Sequence, residues 1–333
     1  MDYYKKFERS KEVPAYFKEH LEKVIRQVNE EMNSGDKAAF IFLTDMHLYE
    51  NTMSNIPLMR EISKHTPVQK VFCGGDLPWA FGTKEECLTD CYISLELLSK
   101  IKENMNLYIV RGNHDITIRE SRQSETGYTM PYDGTRELIM PYQSDGIRGP
   151  ENTMYFYMDD VEEKVRYIVV DTCAKHNTPE DCYWGVPYGF DEDQIQWLAG
   201  DALRPKDDAV WSIVVLGHVP CVPSLPSYSD KLKPLADMLK DFKNRRKGKY
   251  GDFSDTKAEF VAYICGHNHQ DCSCIEDNTL FISTGSSARL YDDCWDRAEG
   301  TVLEELFDIY IVDKQNKRLK TVRVGAGESR EFL

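Results

Sequence analysis

Short apolar runs of strand length recur along the chain, and each ends in a cluster of polar residues. Ala38-Ala39-Phe40-Ile41-Phe42-Leu43 is uninterrupted and leads into Thr44-Asp45-Met46-His47. Val68 to Cys73 leads into Gly74-Gly75-Asp76, and Leu107 to Val110 into Arg111-Gly112-Asn113-His114-Asp115. Trp211 to Leu216 ends in Gly217-His218, and Phe260 to Cys265 in Gly266-His267-Asn268-His269. Apolar runs of about four to eight residues bounded by turn residues predict buried strands. Gly112 is expected to turn the chain beyond its strand.

Between these runs the apolar spacing becomes helical. Residues 12 to 33 carry Phe17, Leu21, Val24, Ile25 and Val28 on one stripe, which predicts an amphipathic helix ending near Asn33-Ser34-Gly35. Further helices are predicted over 55–65, 84–102, 191–203 and 231–243, and hairpins over 154–170, 272–283 and 306–324. Strand and helix alternate as in βαβ units, so the class is α/β. From Ile116 to Thr153 and from Ala174 to Phe190 the regularity stops. Irregular segments of that length suit lids or binding loops, and Tyr128, Tyr132, Trp184 and Tyr188 are available there for stacking on a ligand or for pinning the loops. The expected organisation is an N-terminal helical extension (1–35), a main domain (36–300) with insertions at 116–153 and 174–190, and a C-terminal β-hairpin (301–333) packed on the same domain. The extension and the hairpin are read as additions to the core.

Composition narrows the function. The 333 residues hold 56 acidic against 41 basic side chains, for a net charge of -15, which opposes loose binding to nucleic acid. The single basic cluster, Arg245-Arg246-Lys247-Gly248-Lys249, falls at the end of a predicted helix, where cations complement the dipole. No run approaches the ~18 apolar residues of a membrane span, and Met1-Asp2-Tyr3-Tyr4-Lys5-Lys6 lacks the apolar core of a signal peptide, so a cytoplasmic protein with no membrane contact is expected. Ten cysteines are too sparse for a disulfide scaffold, and Cys272-Ser273-Cys274 reads as alternate positions of a strand.

Five of the eight histidines, His47, His114, His218, His267 and His269, lie at strand ends, beside Asp45, Asp76 and Asn113. A sheet whose strands point one way gathers such tips at one edge. Taken singly, Asp45 and Asp76 could cap helices, and His218 could be a core histidine held by backbone. Together, imidazole and carboxylate suit Zn, Mn or Fe, and two ions about 3.5–4 Å apart with a bridging carboxylate would use nearly all of these groups.

The motif order Asp45-x-His47, Gly75-Asp76, Gly112-Asn113-His114-Asp115, Gly217-His218 and Gly266-His267-x-His269 resembles the calcineurin-like metallophosphoesterase family, over about residues 38 to 285. The resemblance implies a sandwich of two packed mixed β-sheets flanked by helices, α/β/β/α. It assigns Asp45, His47 and His269 to one metal and Asn113, His218 and His267 to another, with Asp76 bridging them. His114 corresponds to the family histidine that approaches substrate instead of metal, as catalytic acid or phosphoryl-oxygen donor. Two divalent or mixed-valence transition-metal ions, Mn, Fe or Zn, are implied. The phosphoprotein phosphatase branch has an acidic residue three positions after the Gly-Asp aspartate and commonly Glu after Asn-His; here those positions are Trp79 and Asp115, which disfavours that branch. Asp115 is a second catalytic candidate, as the group that orients His114, alongside a turn or surface role.

The expected function is a metal-dependent hydrolase of a small phosphomono- or phosphodiester, with no stable binding of nucleic acid. The alternatives are a nuclease of the same family and a non-catalytic scaffold on the same fold. Arg289, after Gly285-Ser286-Ser287, could reach a phosphate or serve the surface.

Overall fold

The computed structural model describes residues 7–332 apart from 80, 116, 120–126, 174–187, 208 and 290–296. After a 3-10 turn at Ala15–Phe17 come helix α1 (Lys18–Met32), strand β1 (Lys37–Leu43), α2 (Asn55–His65), β2 (Lys70–Cys73), α3 (Lys84–Ser99) and β3 (Asn106–Ile109). A two-stranded ribbon, β4 (Thr117–Arg119) and β5 (Gly127–Thr129), precedes α4 (Tyr132–Ile139), β6 (Ile147–Arg148), β7 (Phe156–Asp160) and β8 (Val165–Val169). Then follow α5 (Glu192–Trp197), β9 (Ser212–Leu216), α6 (Lys233–Lys243), β10 (Glu259–Cys265), β11 (Cys272–Glu276), β12 (Thr279–Ser283), β13 (Leu306–Asp313), β14 (Arg318–Gly325) and β15 (Glu331–Phe332).

Two sheets pack face to face. One runs β15-β14-β13-β1-β2-β3, the other β11-β12-β10-β9-β8-β7-β6. In β1 the period-two alternation sends Phe40 and Phe42 into the layer between the sheets, with Phe72, Tyr108, Tyr167, Leu216 and Ile264. Ala39, Ile41 and Leu43 face the other way, onto Leu21, Val24 and Val28 of α1 and Ile56, Met59 and Ile62 of α2. The second sheet is covered likewise, by Ile195, Trp197 and Leu198 and by Leu235, Leu239 and Phe242 of α6. The result is the expected α/β/β/α sandwich.

Three expectations change. The C-terminal hairpin belongs to the core, because β13 pairs with β1 over Lys37↔Asp313 to Phe42↔Asp308 and sits in the middle of its sheet. Pairing of strands so distant in sequence leaves no local trace. The described part of the segment from 116 to 153 is not irregular throughout: it contains α4, whose Tyr132, Thr135 and Ile139 are buried. Its Gln143 and Ser144 side chains also bond the backbone of β3, to Ile109 N and Leu107 N at 2.8 Å each, which covers an edge strand that would otherwise expose unpaired amides. The N-terminal helix begins at Lys18 instead of near residue 12.

β1, β2 and β3 are parallel, as are β8, β9, β10 and β12. Their carboxyl ends therefore open at one edge of the sandwich, where the polar tips collect.

Candidate metal centre

The tips converge. His269 Nε2 lies 3.2 Å from Asp45 Oδ1, and His47 Nε2 lies 3.4 Å from His269 Nε2 and 4.0 Å from Asp76 Oδ2. The donor atoms of Asp45, His47, Asp76 and His269 all fall within 4.8 Å of one another, and so do those of Asp76, His218 and His267. Asp76 is in both groups. Asn113 joins the second, its Oδ1 lying 3.0 Å from His218 Nε2.

The protein fixes one side of several donors by hydrogen bonds. Asp45 Oδ2 accepts from Thr44 Oγ1 at 2.7 Å and from His267 N at 3.0 Å. Asp76 Oδ1 accepts from His114 N at 2.7 Å. The remaining oxygens, Asp45 Oδ1 and Asp76 Oδ2, are buried and have no hydrogen-bond partner among the described residues, and neither has His267 Nδ1. His47 Nδ1 donates to Pro78 O at 3.2 Å and His218 Nδ1 to Gly74 O at 2.8 Å. A carbonyl only accepts, so Nδ1 is a donor in both rings and Nε2 is the atom turned to the cluster. Buried, unpaired carboxylate oxygens are costly without a cation. This mixed N and O donor set fits divalent transition metals.

The backbone is bent to make this arrangement. Asp45, His47, Asp76, His267 and His269 all have positive φ, between 47° and 70°. Non-glycine residues in that region cost free energy, and such strain collects at functional sites.

The sequence model of the calcineurin-like phosphoesterase family matches residues 38–271. The chain belongs to that family. No curated protein matches it in sequence. Among solved structures it is similar to GAP50, the anchor in the inner membrane complex of Plasmodium, at 15% identity over 89% of this chain and 88% of that one, TM-score 0.51. It also resembles phosphopantetheinyl hydrolase from Mycobacterium tuberculosis, at 12% identity over 76% and 91% of the two chains, TM-score 0.38. A novel archaeal phosphodiesterase matches at 11% identity over 89% and 99%, TM-score 0.33. At these identities the likenesses show the fold alone.

In this member of the family the electrostatics leave some donors ready for cations and hold protons on others: burial would lower His269, but Asp45 raises it, and a protonated donor must release its proton to bind a cation. Burial, reinforced by His114, pushes His47 down to about 3, and burial with His218 pushes His267 down to about 4. Burial also opposes the charge on His218, but Asp76 outweighs it and raises that imidazole to about 9. Burial would raise Asp45, yet His269 and His218 hold it down at about 2, and Asp76 is likewise held well below the usual carboxylate range. The two carboxylates are therefore ionised, and His47 and His267 neutral, at ordinary pH.

One sequence expectation is corrected and another is extended. Asp115 does not reach His114: its carboxylate accepts from the backbone N–H groups of Leu77, Asp76 and Gly112, at 2.7, 3.1 and 2.7 Å. It ties the loops after β2 and β3 together, and burial and Asp76 push its carboxyl up to about 7. Gly112 is needed for a second reason besides the turn, since its φ is not positive and any residue could adopt its backbone. A Cβ there would lie 2.3 Å from Asp76 Oδ1 and 2.4 Å from Asp76 N, so its bare Cα is needed for close approach.

Of the other candidates, Tyr132 is buried with the Arg111 guanidinium over its ring, and its hydroxyl oxygen accepts from Met154 N at 2.8 Å. Trp184 and His176 lie outside the described residues, and so does the side chain of Tyr128. Tyr188 stands at the site, its hydroxyl 3.3 Å from His267 Nε2. Arg289 pairs with Glu299 at 3.2 Å and lies over Tyr49, a structural arrangement. His65 pairs with Glu61, and His20 accepts from Gly325 N.

Sequence reasoning passed over Arg111 and Asp171. Arg111 is buried and donates to both Asp171 oxygens and to Cys173 O, while Thr172 Oγ1 accepts from Val219 N beside His218. One short loop after β8 thus braces both Asn113 and His218. The available signal was a charged residue placed directly between an apolar run and Gly112.

Proposed function

We propose that this phosphoesterase-family chain hydrolyses a small phosphomono- or phosphodiester with a dinuclear centre. Asp45, His47 and His269 would hold one ion, Asn113, His218 and His267 the other, and Asp76 would bridge. The observation that carries the reading is Asp76: it belongs to both donor groups, with one oxygen tied to His114 N and the other buried and unpaired. Mn, Fe and Zn suit these donors. Two such ions neutralise phosphoryl charge and bring the pKa of a water near neutrality.

His114 stands apart from both donor groups. Its Nε2 is 4.0 Å from Asp76 Oδ2 and its side chain is one-quarter exposed, at 25%. Burial lowers its pKa, partly offset by Asp76, so the imidazole is neutral at ordinary pH and keeps one N–H. That N–H would hydrogen-bond a phosphoryl oxygen, and the ring would protonate the leaving oxygen only after taking up a second proton, as imidazolium. No serine or cysteine nucleophile is needed.

A nuclease is less well supported, because the basic cluster is occupied: Arg245 pairs with Glu259 at 2.6 Å, and Arg246 with Asp241 and Asp277 at 2.6 Å each. A scaffold role has no loss of ligands in its favour. Among the described residues no helix is long and apolar enough to cross a membrane.

The test is metal-free protein restored with Mn, Zn, Fe, Ni or Mg and assayed on p-nitrophenyl phosphate and its bis ester. Turnover that requires restoration is the expected result. Turnover in the metal-free protein defeats the mechanism, and no turnover with any metal favours the scaffold.

A further inference from the structure

The loop after β2 carries an aromatic strip that the metal chemistry does not use. Leu77 anchors this loop in the core and is fully buried, and Pro78 O holds His47. Trp79 and Phe81 are only partly buried.

Their position is specific. The Phe81 ring centroid lies 5.8 Å from that of His114, Trp79 lies 5.7 Å from Phe81 and 6.4 Å from His47, and Tyr49 lies 6.3 Å from Trp79. The strip therefore adjoins the histidine that would serve the leaving oxygen, with Phe81 beside it and Trp79 beside Phe81. Whatever organic group is attached to that oxygen must leave the centre past His114, so it meets Phe81 first and Trp79 next.

We infer that Trp79 and Phe81 are specificity residues that stack on an aromatic ring in the organic part of the substrate. The inference rests on the phosphoester reading above and names the substrate class: a phosphate ester bearing an aromatic or heteroaromatic ring near the phosphorus. Flat rings favour offset or edge-on partners at these centroid distances, and such pairs add to simple burial. The ring could be bonded directly, as in an aryl ester, or carried on a sugar, as in a nucleotide; Phe81, beside His114, serves the first and Trp79, on the far side of Phe81, the second.

The test is equilibrium binding to Mn-loaded protein, which does not depend on turnover. Two ligand pairs are compared by calorimetry: phenylphosphonate with methylphosphonate, and a nucleoside monophosphate with ribose 5-phosphate. In the unsubstituted protein the ring-bearing member of at least one pair is expected to bind about tenfold tighter. The pair that shows the preference tells where the ring is carried. In the Trp79→Ala, Phe81→Ala double variant the ratio should fall towards one, and Trp79→Phe should restore part of it. Equal affinities within both pairs overturn the inference. So does a parallel weakening of both members with the ratio kept, which would make the rings supports for His47. Failure of all four ligands to bind defeats the phosphoester reading itself, and this inference with it.

Discussion

Arg111 and Asp171 form a buried two-point ion pair, Nε to Oδ1 at 3.1 Å and Nη2 to Oδ2 at 2.6 Å, beneath the loop that carries Asn113 and His114. Burial penalises both charges: it raises the Asp171 carboxyl against the pull of Arg111, while Asp171 outweighs burial and raises the Arg111 guanidinium. Asp171→Ala would leave the guanidinium buried and uncompensated, an expected loss of about 3–5 kcal/mol in unfolding free energy. Denaturant melts of the two proteins measure it. A loss below about 1 kcal/mol, as for an exposed pair, would show that the guanidinium finds water or another partner.

Gly112→Ala addresses the close approach of the two central loops. The added Cβ would sit 2.3 Å from Asp76 Oδ1, so Asp76 must move. Because Asp76 lies in both donor groups, both metal positions should weaken together. Metal titration should show the weakening at two equivalents, not one. Loss at a single position would argue against a shared carboxylate.

His114→Ala should retain metal, since His114 is in neither donor group, while turnover falls by about 10²–10⁴-fold. Metal analysis and steady-state kinetics on the same preparation separate these effects. Depleted metal in that variant would place His114 among the ligands.

Glu305 predicts a pH dependence remote from the metals. It is fully buried, Oε2 accepts from Asn51 Nδ2 at 3.1 Å, and Oε1 has no hydrogen-bond partner among the described residues. Burial first, and then Glu304, push its carboxyl from 4.5 up to about 8. Between those values the folded chain keeps a proton that the unfolded chain releases. The stabilisation is therefore complete below the ordinary carboxylate pKa and is lost as pH rises towards the folded value, by up to about 1.4 kcal/mol per pH unit. Glu305→Gln cannot ionise and should flatten this decline. Unfolding free energies of both proteins across the interval test it, and identical slopes would show that Glu305 is ionised in the fold.

The chain's local patterns determined the strands that carry the chemistry. An apolar run such as Ala38 to Leu43 buries itself wherever it pairs, and the polar residues after it must then emerge at its end. Asp45, His47, Asp76, Asn113, His218, His267 and His269 could therefore be read as candidates, and the order of their motifs pointed to the family. α4 was hidden because Tyr132-Asp133-Gly134-Thr135 is a poor helical start between Pro131 and Pro141, and its burial comes from tertiary neighbours.

What only the tertiary structure decided is which groups approach across long loops. Asp115 bonds Leu77 N, 38 residues away, because the loops after β2 and β3 interlock at Gly112. Arg323, near the end of the chain, donates to Asp308 at 2.7 Å and to Asp271 at 2.8 Å, two residues beyond His269, because β13 and β14 complete the first sheet. Trp79 and Phe81 meet His47 and His114 for the same reason. Hydrophobic periodicity is a property of neighbours along the chain and records which face is buried. The partners found on that face follow from strand order and register, which join residues far apart in sequence.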